Sequence, residues 1–186
     1  MKQKQYKPKA CKQCKNTFTP ERQFQAVCGP LCAVSYTRSQ HTAKRVKAER
    51  AHLRARRDAL KSRSDWLKEL QAVFNRFIRL RDLKAGHPCI SCQRHDLKKV
   101  NAGHYLSVGA HPELRFNEHN CHLQCEHCNT YKAGNQALYR THLGERIGQD
   151  AVDRLEGPHE PAKWTVDEIK ELKAFYRAKI KAIQAE

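Results

Sequence analysis

Residues 89–132 read CISCQRHDLKKVNAGHYLSVGAHPELRFNEHNCHLQCEHCNTYK, and this stretch decides the fold. A Cys-x-x-Cys pair stands at each end, Cys89 with Cys92 and Cys125 with Cys128. Each pair turns two thiolates toward one cation, and two pairs complete the tetrahedral four-cysteine set of a structural zinc site. The chain between them is thereby pinned at both ends. His104 lies inside the pinned segment, and Asn129 directly follows its last cysteine. The knuckles therefore hold an imidazole and a carboxamide at a fixed separation, as a metal-assisted hydrolytic site needs. The pattern predicts two short strands, over residues 102–107 and about 114–123, with a turn at Gly109 to Pro112 and a helix starting near Cys128.

The order Cys-x-x-Cys, a histidine on a first strand, then Asn-x4-Cys-x-x-Cys-Asn-x-x-Lys resembles the HNH (ββα-metal) endonuclease motif. Here it is carried by Cys89, Cys92, His104, Asn120, Cys125, Cys128, Asn129 and Lys132. The longer strings AGHY, FNEHNCHLQCEHCN, GNQALY and GERIGQDAVDRL are similar to the lambdoid phage NinG (Rap) family of structure-specific recombination endonucleases. That resemblance runs from the first cysteine to the end of the chain. It implies an α+β, mostly helical fold: a small zinc-stabilised ββα-metal (HNH-like) nuclease module, an N-terminal zinc finger, a long basic helix and C-terminal helices. It also implies cleavage of branched DNA, such as Holliday junctions and D-loops, leaving 5′-phosphate and 3′-hydroxyl ends.

The expected chemistry follows from the phosphodiester, whose charge repels a nucleophile. His104 is the candidate general base, since an imidazole with a pKa of about 6.5 accepts a proton from water near neutrality. Mg2+ or Mn2+ is expected on the phosphate, stabilising the leaving 3′-oxygen. Asn129 offers it a hard carbonyl oxygen. Asn120, as the middle Asn of HNH motifs, orients the imidazole or fixes the loop. Many HNH enzymes carry an Asp directly before the base histidine as a second ligand to the ion. That position is Gly103 here, so a second ligand is sought among His119, His111, Asp96 and His95.

Composition sets the remaining bounds. The chain has 186 residues and nine cysteines, eight of them in closely spaced pairs. The start, MKQKQYKPKA, has no apolar core of a signal peptide, and no apolar run is long enough to cross a membrane. Paired cysteines in such a chain point to metal rather than disulfides and to a reducing cytoplasm, that of a phage's host. The net charge is +17, yet residues 137–186 carry nine Lys/Arg against nine Asp/Glu. The whole excess lies with the cysteine motifs, which is the electrostatic footprint of a nucleic-acid binder.

Ahead of the central stretch, residues 1–10 are expected as a flexible basic arm. Cys11, Cys14, Cys28 and Cys32 form a second four-cysteine set, with Gly29-Pro30 opening a helix whose first turn carries Cys32. A knuckle followed by a helix-borne pair suggests a treble-clef-like finger. Residues 33–63 read as one long polar helix, with ten Lys/Arg between Tyr36 and Arg63 against only Glu49 and Asp58. A helix of one sign repels itself until phosphates neutralise it. Lys44, Arg45, Lys47, Arg50, Arg54, Arg56, Arg57, Lys61 and Arg63, joined by Lys132, are the candidate DNA contacts. Ser64 is the expected cap of the next helix, whose Trp66, Leu70, Val73, Phe74, Phe77 and Ile78 recur at helical spacing and which ends near Gly86.

Behind the central stretch, Asn135 is expected to cap a helix through about Leu143, and residues 149–156 a second one. Thr165-x-x-Glu168 is a capping box, with Trp164 and Ile169 at the staple positions. Ile169, Leu172, Tyr176, Ile180 and Ile183 then make one apolar stripe suited to packing or dimerisation. Odd Cys121 is expected in the core, and His122 and His127 as hydrogen-bonding or DNA-contacting groups. Four segments result: a zinc finger (1–35), the basic and amphipathic helices (36–84), the HNH-like core (85–136) and a helical extension (137–186). The expected partners are DNA, a second copy of the chain, since paired cuts in a junction need two active sites, and phage or host recombination proteins. The competing readings are a zinc-finger DNA-binding protein without catalysis and a scaffold for recombination proteins.

The helix assignment is tested by salt. Replacing Arg54, Arg56 and Arg57 with Ala should weaken DNA binding and lower the slope of log K against log salt by about 0.9 per lost phosphate contact. An unchanged slope in a binding titration removes these side chains from the interface.

Overall fold

The structure, a computed structural model, describes residues 6–185. The elements in order are β1 (Lys9–Ala10), β2 (Thr17–Phe18), α1 (Pro30–Ala59), α2 (Arg63–Lys84), β3 (Val100–His104), β4 (Cys121–Cys125), α3 (Gln136–Ile147), α4 (Gln149–Glu156) and α5 (Val166–Ala185). A 3-10 turn at Pro112–Leu114 and a π-helical turn at His127–Tyr131 flank β4. The protein is thus mostly helical, with two separate two-stranded antiparallel sheets.

The described chain parts into two compact units, one up to Leu60 and one from Lys61. The division falls inside the segment expected to run from 36 to 84. The reason is that α2 has a core to join and α1 has none. Pro30–Ala59 buries no residue at all, as its charge run predicts. Gly29 stands at its N-cap and Pro30 in its first turn. The first five residues of the expected basic arm lie outside the described residues, and Lys9–Ala10 at its end pairs with Thr17–Phe18.

In the second unit α2 is capped by Ser62, two residues before the cap expected at Ser64. Ser62 Oγ accepts from the Asp65 amide at 3.2 Å, while the Asp65 carboxylate accepts from the Ser62 amide at 3.0 Å. Only a residue three places before Asp65 can close this reciprocal box. Along α2, Trp66, Leu70, Phe74, Phe77 and Ile78 are buried together with Ile169, Tyr176 and Ile180 of α5. The Tyr176 ring stands 5.0 Å from Phe74 and 5.1 Å from Phe77. The box expected at the start of α5 forms, with the Thr165 amide donating to Glu168 at 2.7 Å and the Glu168 amide donating back to Thr165 Oγ1 at 3.3 Å. Trp164 lies on the same core, edge-on to Phe116.

β3 and β4 pair from Val100↔Cys125 to His104↔Cys121. Both strands are shorter than expected, and the whole of 105–120 is a long connection. Its backbone groups are used in successive tight turns, Arg115 to Pro112, Asn117 to Leu114 and Asn120 to Asn117, which leaves no ladder for a strand from 114. One face of the hairpin, with Ala102 and Cys121, packs on α2. On the other, the Tyr139 hydroxyl of α3 donates to Gly103 O at 2.9 Å, within a second core of Ile90, Tyr105, Leu114, Leu143, Val152 and Leu155. α3 runs on through Gly144 to Ile147, further than the expected break, and no helix of the described residues is long and apolar enough to cross a membrane.

Asp82 ties α2 to β4. It is buried, accepts the Leu123 amide at 2.7 Å and Arg81 Nε at 2.7 Å, and faces Arg146 at 3.8 Å. Burial pushes its carboxyl up, but His122, Arg81 and the Leu123 amide together hold it far below the usual carboxylate range. A depressed folded pKa stabilises above the unfolded value of about 3.9 and is lost only as the pH falls below it. Asp82→Ala leaves the half-buried Arg146 without its carboxylate and the Leu123 amide without its acceptor, while Arg81 keeps Glu118, and should cost about 3 kcal/mol or more. In urea unfolding that deficit should be the same between about pH 7 and 8, because the wild-type carboxyl is ionised throughout and burial keeps the neighbouring His122 neutral there. A deficit that changed across this window would contradict the assignment.

Candidate functional site

Two clusters of four thiols are assembled, Cys11, Cys14, Cys28 and Cys32 in the first unit and Cys89, Cys92, Cys125 and Cys128 in the second. Within each, the sulfur atoms all lie within 4.8 Å of one another. Cys14 Sγ stands 3.7 Å from Cys28 Sγ, Cys28 Sγ 3.5 Å from Cys32 Sγ, and Cys92 Sγ 3.8 Å from Cys125 Sγ. A tetrahedron with metal–sulfur bonds of about 2.3 Å has edges of about 3.8 Å. These separations suit a shared cation and are far too long for disulfides of about 2.05 Å.

The two sites are built from the same turn. The residue after the second cysteine takes a left-handed conformation, Lys15 at φ 66° and Gln93 at φ 56°. Its amide donates back to the first cysteine's carbonyl, Lys15 to Cys11 at 3.0 Å and Gln93 to Cys89 at 2.9 Å. Backbone amides then point at sulfur: Cys28 N at Cys11 Sγ, Cys125 N at Cys89 Sγ and Cys128 N at Cys125 Sγ. Asn135 does not cap α3 with its side chain; Nδ2 reaches Cys128 Sγ at 3.8 Å instead. Such donors stabilise thiolate and orient it. Crowding does the opposite. Burial and the neighbouring thiols push Cys128 up to about 12, whereas at Cys92 the same burial is outweighed by the Arg94 amide and by hydrogen bonds from its neighbours, bringing it to about 7. The Cys92 proton leaves readily, whereas burial holds those of Cys89 and Cys128 back.

The expected catalytic residues sit on the pinned hairpin. Asn120 is fully buried and fixes the loop: Oδ1 accepts the Leu106 amide at 2.8 Å, and Nδ2 donates to Leu106 O at 3.0 Å and Leu114 O at 3.3 Å. None of these bonds goes to the His104 imidazole. His104 ends β3, half-buried on the face toward Phe74. Nε2 lies 3.0 Å from Arg115 O, a carbonyl that can only accept, so in the neutral ring Nε2 carries the proton and Nδ1 is the basic nitrogen. Nδ1 faces Cys121 Sγ at 3.7 Å. Burial lowers the His104 pKa and keeps the ring neutral near pH 7. Cys121 is in the core as expected, with burial pushing its thiol far up.

Asn129 rides the π-helical turn and comes to the other face of β3. A Cβ on Gly103 would stand 3.1 Å from Asn129 Oδ1 and 2.0 Å from Gln124 Oε1. The structure therefore sets Asn129 beside Gly103 and Gln124, and His104, the next residue along the strand, beside Arg115 and Cys121. None of His119, His111, Asp96 or His95 is among the groups nearest Gly103. His111 is paired with Glu113 at 3.1 Å, and His119 lines a cavity with Arg81, Asp82 and His122. Gln124, which the sequence pattern does not single out, fills the space that a side chain at position 103 would take.

The family model for the Bacteriophage Lambda NinG protein matches residues 3–186. The chain belongs to the NinG family. Protein ninG of Escherichia phage lambda is 40% identical over 186 residues, 92% of this chain and 90% of that protein. Protein ninG of Salmonella phage P22 is 39% identical over 186 residues, 92% and 91% of the two chains. That of Enterobacteria phage H19B is 38% identical over 188 residues, 94% and 92%. No solved structure matches the chain.

In this NinG-family chain the expected DNA contacts divide between the units. Lys44, Arg45, Lys47, Arg50, Arg54, Arg56 and Arg57 are exposed on α1, and Lys132 is exposed beside Asn129 in sequence. Lys61 is taken up by Glu69 at 2.6 Å and by the Trp66 ring, and Arg63 Nε donates to Trp164 O at 2.6 Å, so both serve the start of α2. His122 is buried, with Nε2 against His119 O and Nδ1 against Arg81, and cannot touch DNA; His127 is exposed. Cys125→Ser should lose one bound metal ion per chain and melt the hairpin, because metal binding and folding are one free energy there. Full metal content by atomic absorption with wild-type melting would refute the four-thiolate site.

Proposed function

We propose that the chain is a metal-dependent DNA endonuclease acting on branched DNA, with structural Zn2+ in both four-cysteine sites. The observation that carries this reading is the setting of Asn129 Oδ1 against Gly103, one residue from His104, on a hairpin clamped by four thiols. The donor set suits the proposed ions. Zn2+ fits the sulfur tetrahedra, and a hard Mg2+ or Mn2+ fits the carbonyl oxygen of Asn129. When bound, the hard ion neutralises phosphate charge and supports the leaving oxygen.

The protein's own residues do the rest. Asn120 keeps the 105–120 loop closed over the end of β3. His104 waits neutral, its Nε2–H on Arg115 O and its Nδ1 on the Cys121 thiol. To take a proton from water, the ring turns Nδ1 from Cys121 as DNA binds. The exposed basic side chains of α1 and Lys132 hold the backbone of the substrate. The preference for branched DNA rests on the NinG resemblance alone.

One observation favours a DNA-binding protein without catalysis: both nitrogens of His104 are engaged by protein and Gly103 offers no acidic ligand. A single experiment separates the two. Purified protein is mixed with a four-way junction or a matched linear duplex and Mg2+ or Mn2+, beside a His104→Ala variant that still binds DNA. The junction should be cut, and the variant should cut at least about 100-fold more slowly. The rate should level off with rising pH below the usual histidine range, because burial depresses the His104 pKa. Equal cutting of both substrates discards the branched-DNA reading, and binding without cutting under either metal discards the nuclease.

A further inference from the structure

We infer that Gln124 supplies a second protein oxygen for the divalent cation at Asn129, in place of the acidic side chain that Gly103 lacks; this deepens the nuclease reading of the same site and rests on it.

The orientation of the Gln124 amide is fixed by its partners. Nε2 donates to Ser91 Oγ at 2.7 Å and to Gly134 O at 2.5 Å, and Ser91 Oγ itself donates to Gly134 O at 3.1 Å. Gly134 O can only accept, so the NH2 group must face it and Oε1 must face the other way. The other way is Gly103. The side chain is wholly buried, yet Oε1 has no hydrogen-bond partner. Buried carboxamide oxygens are almost always satisfied, and an orphan asks for an ion or water. Asn129 Oδ1 comes to the same place: the two oxygens lie 2.0 and 3.1 Å from the point a Gly103 Cβ would occupy. Among the described residues no side chain donates a hydrogen bond into that gap. Two carbonyl oxygens turned on one point repel each other unless a positive charge stands between them.

The chemistry of the pair names its ligand. Neutral, hard oxygens at a strand and a π-helical turn suit Mg2+ or Mn2+, which keeps several waters and takes its remaining ligands from phosphate. With no carboxylate in the set, the bare protein should hold the ion weakly and DNA should tighten it. The glycine is then required. Any side chain at 103 would collide with Gln124 Oε1, so an aspartate at 103 and a glutamine at 124 are alternatives for the same space.

Mn2+ binding, read from loss of the free-ion electron paramagnetic resonance signal, tests this directly. The full-length, zinc-loaded chain is used on a four-way junction in a His104→Ala background, so that the DNA stays intact. Gln124→Ala and Asn129→Ala should each weaken Mn2+ about 10-fold or more, with zinc content unchanged. Gly103→Ala, which displaces Oε1 without removing the amide, should do the same and decides the matter if Gln124→Ala does not fold. Adding Gly103→Asp to Gln124→Ala should restore binding. Unchanged Mn2+ affinity in the folded Gln124 and Gly103 variants overturns the inference. So does an Asn129→Ala chain that melts lower with Mn2+ affinity intact, since Asn129 would then satisfy Gln124 by itself. Mn2+ held through Gln124 in a wild-type chain that cuts no DNA would sink the nuclease and leave this site standing; cleavage with Gln124-independent Mn2+ affinity would do the reverse.

Discussion

Four sulfur atoms at the ends of residues 89–128 impose the constraint from which the second unit is built. Cys125 closes the register of β4 against Val100, and Cys128 opens the turn that carries Asn129. Thiolates at such separations repel one another unless a cation is shared among them, so binding of a cation and closure of the hairpin would be one event. Everything that could do chemistry is placed from this anchor. His104 is four residues up the strand from the paired end, Gly103 and Gln124 share the face that the Asn129 turn covers, and Asn120 secures the loop beyond. The α2–α5 core then holds one face of the hairpin and α3 the other.

How much of this could be read beforehand depended on how local the cause was. The four-cysteine sites were legible because ligand spacing is written in the sequence and the metal's geometry does not vary. The Thr165–Glu168 box and the α5 stripe were legible for the same reason, since each involves neighbours one turn apart. The start of α2 was misplaced by two residues, where Ser62 and Ser64 both precede Asp65 and only reciprocal bonding tells them apart. The strands were misjudged because the 105–120 connection is held by the Asn120 carboxamide and by successive turns, which apolar patterning does not reveal.

Gln124 and Asp82 were invisible for another reason. Each is a polar residue with nothing in its local sequence to mark it, and its meaning comes from partners far along the chain: Gly134 and Ser91 for one, Leu123 and Arg146 for the other. A signal for Gln124 did exist. It sits directly before Cys125 on the face of Gly103, where the HNH resemblance lacked an aspartate. Lys61 shows the converse case, a cation of the charge run whose partners within the fold, Glu69 and Trp66, the run does not reveal.

The position of α5 bears on synthesis. Trp66, Phe74 and Phe77 leave the ribosome well before the surface that covers them, Ile169, Tyr176 and Ile180. Contacts across such a span are slow to form, and a nascent chain keeps its apolar α2 stripe uncovered meanwhile. The hairpin can gather its thiols before then, but the floor beneath His104 closes only once α5 has been made. A chain truncated before Val166 would expose aromatic surface and invite aggregation, so a broken message yields insoluble fragments rather than a partly folded protein.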